Sequence, residues 1–187
     1  MNLPHKNLDL SVVIASYKKE FVIIETLDAL IEILNYNKIE FEIIVVIDGN
    51  IDQTFERIKE NFNSQVRVFS LDKNQGKGFA LRFGVDKIEN KNQVVAFLDA
   101  DLDISPVALI FGLDYLLRNS EIDCVVGSKF HKQSKINYSW QRVITSRLYS
   151  FFVKNLFRID LSETQTGLKL FRYECIKLVH TPHHFQG

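Results

Sequence analysis

The chain has 187 residues, 46% of them hydrophobic and 25% charged, which suits one domain with a real core and argues against disorder. Lys+Arg and Asp+Glu both number 23, so no charge excess advertises a nucleic-acid or membrane partner. Only Cys124 and Cys175 are present, without CxxC or Cys/His spacing, which speaks against disulfides and zinc and fits a reducing cytosolic setting. The opening MNLPHKNLDL lacks the apolar core of a signal peptide. No window approaches the ~18 uninterrupted apolar residues of a membrane span. The last residues, HTPHHFQG, resemble neither a helix end nor a charged tail and predict an unfinished domain.

Strand and helix patterns alternate along the chain. LSVVIAS (10–16) predicts a strand, followed by a helix from about Glu20 to Asn35 with apolar residues at helical spacing. FEIIVVI (41–47) is a second strand, closed by the turn signal Asp48-Gly49-Asn50. A helix near 52–62 and a short strand VRVFS (66–70) come next. Gly76-Lys77-Gly78 opens a helix to about Asn90, and VVAFL (94–98) forms a strand. A helix near 105–118 carries Pro106 in its first turn, where its missing N–H is harmless. IDCVVGS (122–128) predicts another strand, with Cys124 as a small core residue. Residues 129–139 read as a polar loop, and 140–158 as an aromatic and basic helix. LKLF (168–171) predicts a short strand, and Tyr173 to Val179 a short helix. This β-α-β-α alternation predicts one α/β domain over 1–187, a doubly wound, mainly parallel sheet with right-handed crossovers.

The most informative stretch is VVAFLDADLD (94–103), an apolar run that ends in Asp99, Asp101 and Asp103. Ligands of open α/β sheets bind beyond the carboxyl ends of the strands. Carboxylates clustered there repel one another, and hard oxygen ligands in such small number suit Mg²⁺ or Mn²⁺ shared with substrate phosphates. A solvated acidic turn is the plainer reading of an isolated D-x-D. Three more segments fall at strand ends: Ser16-Tyr17, Asp48-Gly49-Asn50, and Asn74 to Gly78. Alone, Tyr17 reads as a helix-entry residue and the other two segments as turns. The glycine-rich helix start with Lys77 favours phosphate, although it is not a Walker loop. The four together, in this order, are far more specific than any one.

SVVIASYKKE, EIIVVIDGNIDQT, NQGKGFALRFG, VVAFLDADLD, GSK and ETQTGLKLF occur in the order found in family 2 glycosyltransferases. From about Leu10 to Phe171 the chain resembles that family, and most of all its dolichyl- and polyprenyl-phosphate branch. The resemblance implies a GT-A fold, with a Rossmann-like nucleotide-binding sheet. It also implies an inverting transfer of a hexose, glucose or mannose, from a UDP- or GDP-sugar to a polyprenyl phosphate. Within it, Asp99, Ala100 and Asp101 form the D-x-D that holds Mg²⁺ or Mn²⁺ on the donor diphosphate, with Asp103 assisting. Tyr17 and Glu20 match the nucleotide-contacting turn, Asp48 an acid lining base and ribose, and Gly76, Lys77 and Gly78 the loop over the nucleotide. Ser128 and Lys129 match a Gly-Ser-Arg motif, Arg142 a phosphate-binding basic residue, and Glu163 the acid of D-T-Q-x-G.

There are departures from the family pattern. Ile47 replaces the first of two usual acids, which leaves the nucleotide base open. Ala15 stands for Pro, Lys18 and Lys19 for Asn and Glu, and Glu163 for Asp. The expected acidic helix and final strand after the end of the chain are missing. A lipid phosphate with second pKa about 6 is mostly dianionic at neutral pH, so positioning by Arg142, Lys129 and Arg147 would outweigh a general base. The helix at 140–158 suits the headgroup region of a membrane, or equally a core helix with a solvated basic face. These features together imply a cytosolic domain at the cytoplasmic face of a membrane, and they are compatible with a homodimer. The rival readings are a family 2 transferase acting on a saccharide in capsule or cell-wall synthesis, a non-catalytic sugar-nucleotide-binding module, and a nucleotidyltransferase. The last lacks its glycine- and arginine-rich first loop. His180, His183 and His184 read as exposed and idle.

Overall fold

Three strand-helix-strand crossovers between parallel strands build most of the fold. The computed structural model describes residues 9–62, 65–89, 94–101, 105–127 and 167–179. The strands are β1 (Asp9–Ser16), β2 (Glu40–Asp48), β3 (Val66–Leu71), β4 (Val94–Asp99), β5 (Cys124–Val126) and β6 (Lys169–Arg172). The helices are α1 (Ile23–Tyr36), α2 (Thr54–Phe62), α3 (Lys77–Asp86), α4 (Pro106–Arg118) and α5 (Tyr173–Val179). They support one six-stranded sheet in the order β3-β2-β1-β4-β6-β5. β1 pairs in parallel with both β2 and β4, so the chain runs outward from β1 and then returns to its other side. That reversal leaves a crevice beyond the carboxyl ends of β1 and β4, where open sheets take their ligands.

Helices cover both faces, which is why the inner strands read as unbroken apolar runs. Leu10, Val12 and Ile14 of β1, with Ile43, Val45 and Ile47 of β2, pack against α1, α2 and α4. Their alternates turn to the other face. Ile44 and Val46 meet Ala80 of α3, while Val13 and Val95 meet Ile176 of α5. Each such side chain removed from water contributes about 1.5–3 kcal/mol before conformational entropy is subtracted. α3 lies close to the sheet because Gly84 leaves room. A Cβ there would stand 3.2 Å from Val46 Cγ2 and closer still to Val13 Cγ1.

Several boundaries differ from those expected, for local reasons. α1 begins at Ile23 rather than near Glu20, with a hydrogen-bonded turn at 20–22 ahead of it and Lys18 at a left-handed φ of 55° before that. The Lys19 carbonyl then accepts the N–H groups of Val22 and Ile23 as the first turn forms. α3 stops at Asp86, four residues short of the expected Asn90. α4 starts as the sequence indicates, with Ser105 Oγ accepting the Val107 N–H and Pro106 in the first turn. The strand expected over 122–128 contracts to Cys124–Val126, at the edge of the sheet. Cys124 is exposed there, which corrects its reading as a core residue. β6 runs antiparallel between β4 and β5, the one reversal in a sheet expected to be mainly parallel. Among the described residues no helix is long and apolar enough to cross a membrane. The segments 129–139 and 140–158, and His180, His183 and His184, lie outside the described residues.

A methyl group added at Gly84 tests the tight seat of α3. We expect Gly84→Ala to lower stability by about 1–3 kcal/mol through overpacking against stiff β-branched neighbours, read as a lower midpoint in urea.

Candidate active site

A cleft of about 300 Å³ opens where β1, β2 and β4 end and α3 begins. Ser16, Tyr17 and Lys19 reach it from the end of β1, and Asp48 from β2. Gly76 and Lys77 reach it from the start of α3, and Asp99, Ala100 and Asp101 from β4. All four strand-end segments singled out in the sequence therefore converge on one hollow. β1 and β4 are in register there, Ala15 beside Asp99.

The carboxylate of Asp48 is buried, and its two oxygens hold the loop before α3. Oδ1 accepts the Gln75 N–H at 2.7 Å and Oδ2 the Gly76 N–H at 2.9 Å. A charged acceptor shared by two backbone donors is among the stronger arrangements open to a carboxylate. Gly49 lets the loop approach, with φ +93° and a virtual Cβ only 2.9 Å from Asn74 N. Gly76 also has φ +93°, which turns the chain into α3 and sets the positive end of that helix at the cleft.

Asp99 and Asp101 each face a lysine. Lys77 Nζ donates to Asp99 Oδ1, and Lys19 Nζ donates to Asp101 Oδ2 at 2.7 Å. Gly167 packs directly on Asp99. A Cβ at 167 would lie 2.7 Å from the Asp99 Cγ and nearer still to Oδ2, so only glycine leaves the carboxylate in place. Thr26 of α1 braces the same turn, its Oγ1 within 3.4 Å of the Ala100 carbonyl oxygen and 2.9 Å of the Val22 carbonyl oxygen. Ser16 Oγ is buried in the cleft wall and has no hydrogen-bond partner among the described residues.

Tyr17, Asp48, Gly76, Lys77, Asp99, Ala100 and Asp101, singled out in the sequence, all line the cleft. Glu20 is engaged elsewhere: its Oε2 accepts the Gln53 N–H at 3.0 Å ahead of α2. Gly78 lies inside the first turn of α3 and lines a different, apolar hollow with Leu81 and Phe97. Asp103, Ser128, Lys129, Arg142, Arg147 and Glu163 lie outside the described residues. Sequence reasoning did not assign Lys19 and Gly167 to the site. The signal for Lys19 was a cation where the family pattern has glutamate; for Gly167 it was its place as the glycine of the D-T-Q-x-G segment.

The sequence profile of glycosyl transferase family 2 matches residues 11–179. The chain belongs to that family. Dolichyl-phosphate beta-glucosyltransferase of Dictyostelium discoideum is 25% identical, over 98% of this chain and 60% of the relative. The human dolichyl-phosphate beta-glucosyltransferase is 31% identical, over 88% of this chain and 55% of the relative. The chain thus spans somewhat more than half the length of these curated relatives. Among solved structures, glucosyl-3-phosphoglycerate synthase from Mycobacterium tuberculosis, in complex with Mn²⁺, uridine diphosphate and glucosyl-3-phosphoglycerate, superposes with TM-score 0.66. It is 22% identical and covers 89% of this chain and 57% of its own. The mannosyltransferase of Pyrobaculum calidifontis, in complex with GDP-Man and Mn²⁺, gives TM-score 0.64 at 19% identity, covering 96% of this chain and 48% of its own. The fold is GT-A, as the resemblance implied.

Among the described residues no group of three or more His, Cys, Asp and Glu is placed to hold a metal. The pair Asp99 and Asp101 nevertheless fits a hard dication, because both carboxylates line the cleft and each draws a cation to itself. Mg²⁺ and Mn²⁺ suit one or two carboxylates completed by water and substrate phosphate.

The clamp at Asp48 can be tested without any ligand. Asp48→Asn sets an amide N–H against a backbone N–H, and we expect a loss of about 1–3 kcal/mol in thermal or denaturant unfolding.

Proposed function

We propose that this chain carries the donor-binding part of an inverting, metal-dependent glycosyltransferase. In this reading it moves a hexose from a UDP- or GDP-sugar to a polyprenyl phosphate at the cytoplasmic face of a membrane. The observation that carries the donor half is the meeting of Asp99, Asp101, Lys77 and the start of α3 around one cleft. The acceptor half rests on the relatives, which are named for dolichyl phosphate.

Asp99 and Asp101 would hold Mg²⁺ or Mn²⁺, which when bound neutralises the diphosphate leaving group. Lys77 adds an ammonium on the same side, and the α3 start adds a positive dipole end. Asp48 keeps these groups in position by holding the loop backbone, so little reorganisation is needed when the diphosphate arrives. Ser16 Oγ is a buried hydroxyl available to a bound nucleotide. Gly167 fixes the direction of the Asp99 carboxylate. At the acceptor, a dianionic lipid phosphate attacks the anomeric carbon as the sugar–phosphate bond breaks, and needs little deprotonation. Arg142, Lys129 and Glu163 are proposed to position that acceptor, and Asp103 to assist at the metal.

Titration with UDP-glucose and GDP-mannose, with and without Mn²⁺, tests the donor site. One of the two should bind in a metal-dependent manner, and Asp101→Ala should weaken it at least tenfold. Binding of neither, or unchanged binding by Asp101→Ala, would sink the assignment. Gly167→Ala should also weaken the metal-dependent binding by about tenfold while lowering stability by less than about 3 kcal/mol, because it displaces the Asp99 carboxylate.

Incubation with polyprenyl phosphate and a labelled donor tests the acceptor. The expected product is a glycolipid that partitions into organic solvent. Label transferred to an oligosaccharide instead would reassign the acceptor to a saccharide.

A further inference from the structure

Lys19 stands 82 positions before Asp101 in sequence, and the fold sets its ammonium 2.7 Å from Asp101 Oδ2. The backbone aims it there. β1 ends at Ser16, Lys18 turns through φ 55°, and the Lys19 carbonyl is tied to the Val22 and Ile23 N–H groups. The root of the side chain is therefore fixed at the start of α1, with its head across the crevice on β4's end. Both partners are only about one-third exposed, Lys19 34% and Asp101 28%, so solvent screens the pair incompletely.

Two carboxylates alone would give the cleft a charge that draws a dication. Here Lys77 matches Asp99 and Lys19 matches Asp101, so each of these two acids is already countered by one cation before any ligand arrives. The ammonium of Lys19 and a divalent cation compete for the same carboxylate, and within a few ångströms they also repel each other. Lys77 is different. It comes from the phosphate-favouring start of α3 and is more exposed, at 54%.

We propose that Lys19 is a built-in counter-cation on Asp101 that must release this carboxylate before a divalent metal can bind. The metal seat is then latent in the free protein. The donor diphosphate unlocks it, because its negative charge takes over the released ammonium. Metal and donor accordingly bind together rather than one after the other. This inference rests on the reading of Asp101 as a metal ligand.

The test measures Mn²⁺ alone, by the loss of its free-ion electron paramagnetic resonance signal, on four proteins. These are the unaltered chain, Lys19→Met, Lys19→Gln, and Lys19→Met combined with Asp101→Asn. Both single variants should bind Mn²⁺ at least about fivefold more tightly than the unaltered chain, the scale of an exposed to half-buried ion pair. The double variant should lose that gain. Damage to the fold would weaken metal binding, so a gain in affinity separates a counter-cation from a merely structural lysine. Equal or weaker Mn²⁺ binding by both single variants, with none by the double variant, overturns the inference and leaves the metal-ligand reading standing. Binding by the double variant equal to that of Lys19→Met, or no binding by any of the proteins, overturns both.

Discussion

Carboxylates at the end of a buried parallel sheet must each find positive partners, and the site is arranged around that requirement. Asp48, Asp99 and Asp101 stand at or just beyond the ends of β2 and β4, Asp48 buried and the other two partly exposed. Asp48 is matched by two backbone N–H groups, Asp99 by Lys77 and Asp101 by Lys19. The three solutions differ in permanence. The backbone clamp on Asp48 is part of the fold, because loosening it would also free the loop that starts α3. The two lysine pairs are side-chain contacts at a partly exposed surface, where ion pairs contribute little to stability and exchange readily. One acid is thus structural while two remain available to a ligand.

The sheet makes this arrangement possible by rigidity. Leu10, Val12, Val13 and Ile14 of β1 are fully buried, as are Ile43 to Ile47 of β2, so the strand ends have little freedom to move. Glycines then set the close approaches. Gly84 brings α3 down on Val13 and Val46, Gly49 admits the backbone of Lys73 and Asn74, and Gly167 leaves room for the Asp99 carboxylate. In each case the missing Cβ fixes the distance between two segments remote in sequence. The cleft is a consequence of those distances as much as of the polar residues that line it.

Family membership and site geometry bear on different halves of the chemistry. In the proposed reading the cleft takes the donor, because phosphate and metal are what its charges suit. The acceptor has no comparable signature among the described residues, and the relatives named for dolichyl phosphate bear on it instead. At Lys19 the resemblance implies a glutamate, which would add a third negative charge beside the D-x-D; the lysine instead pairs with Asp101.

The order of most elements and the four strand-end segments were legible in the sequence because their signals are local. Apolar run length marks β1, β2 and β4, helical spacing marks α1 and α4, and Ser105-Pro106 marks the start of α4 within a residue. Other features depended on the tertiary structure. The insertion of β6 between β4 and β5, the exposure of Cys124 on an edge strand, and the contact of Gly167 with Asp99 leave no periodic trace along the chain. The same holds for the partner of each carboxylate, since Asp48 meets a loop 27 residues away and Asp101 a lysine 82 residues away. Sequence alone determined which groups would stand at the strand ends, since a strand's length and a turn's chemistry are properties of neighbouring residues. Only the folded sheet decided which charges would face one another, because that depends on strand order and register, and these bring together residues that no local pattern connects.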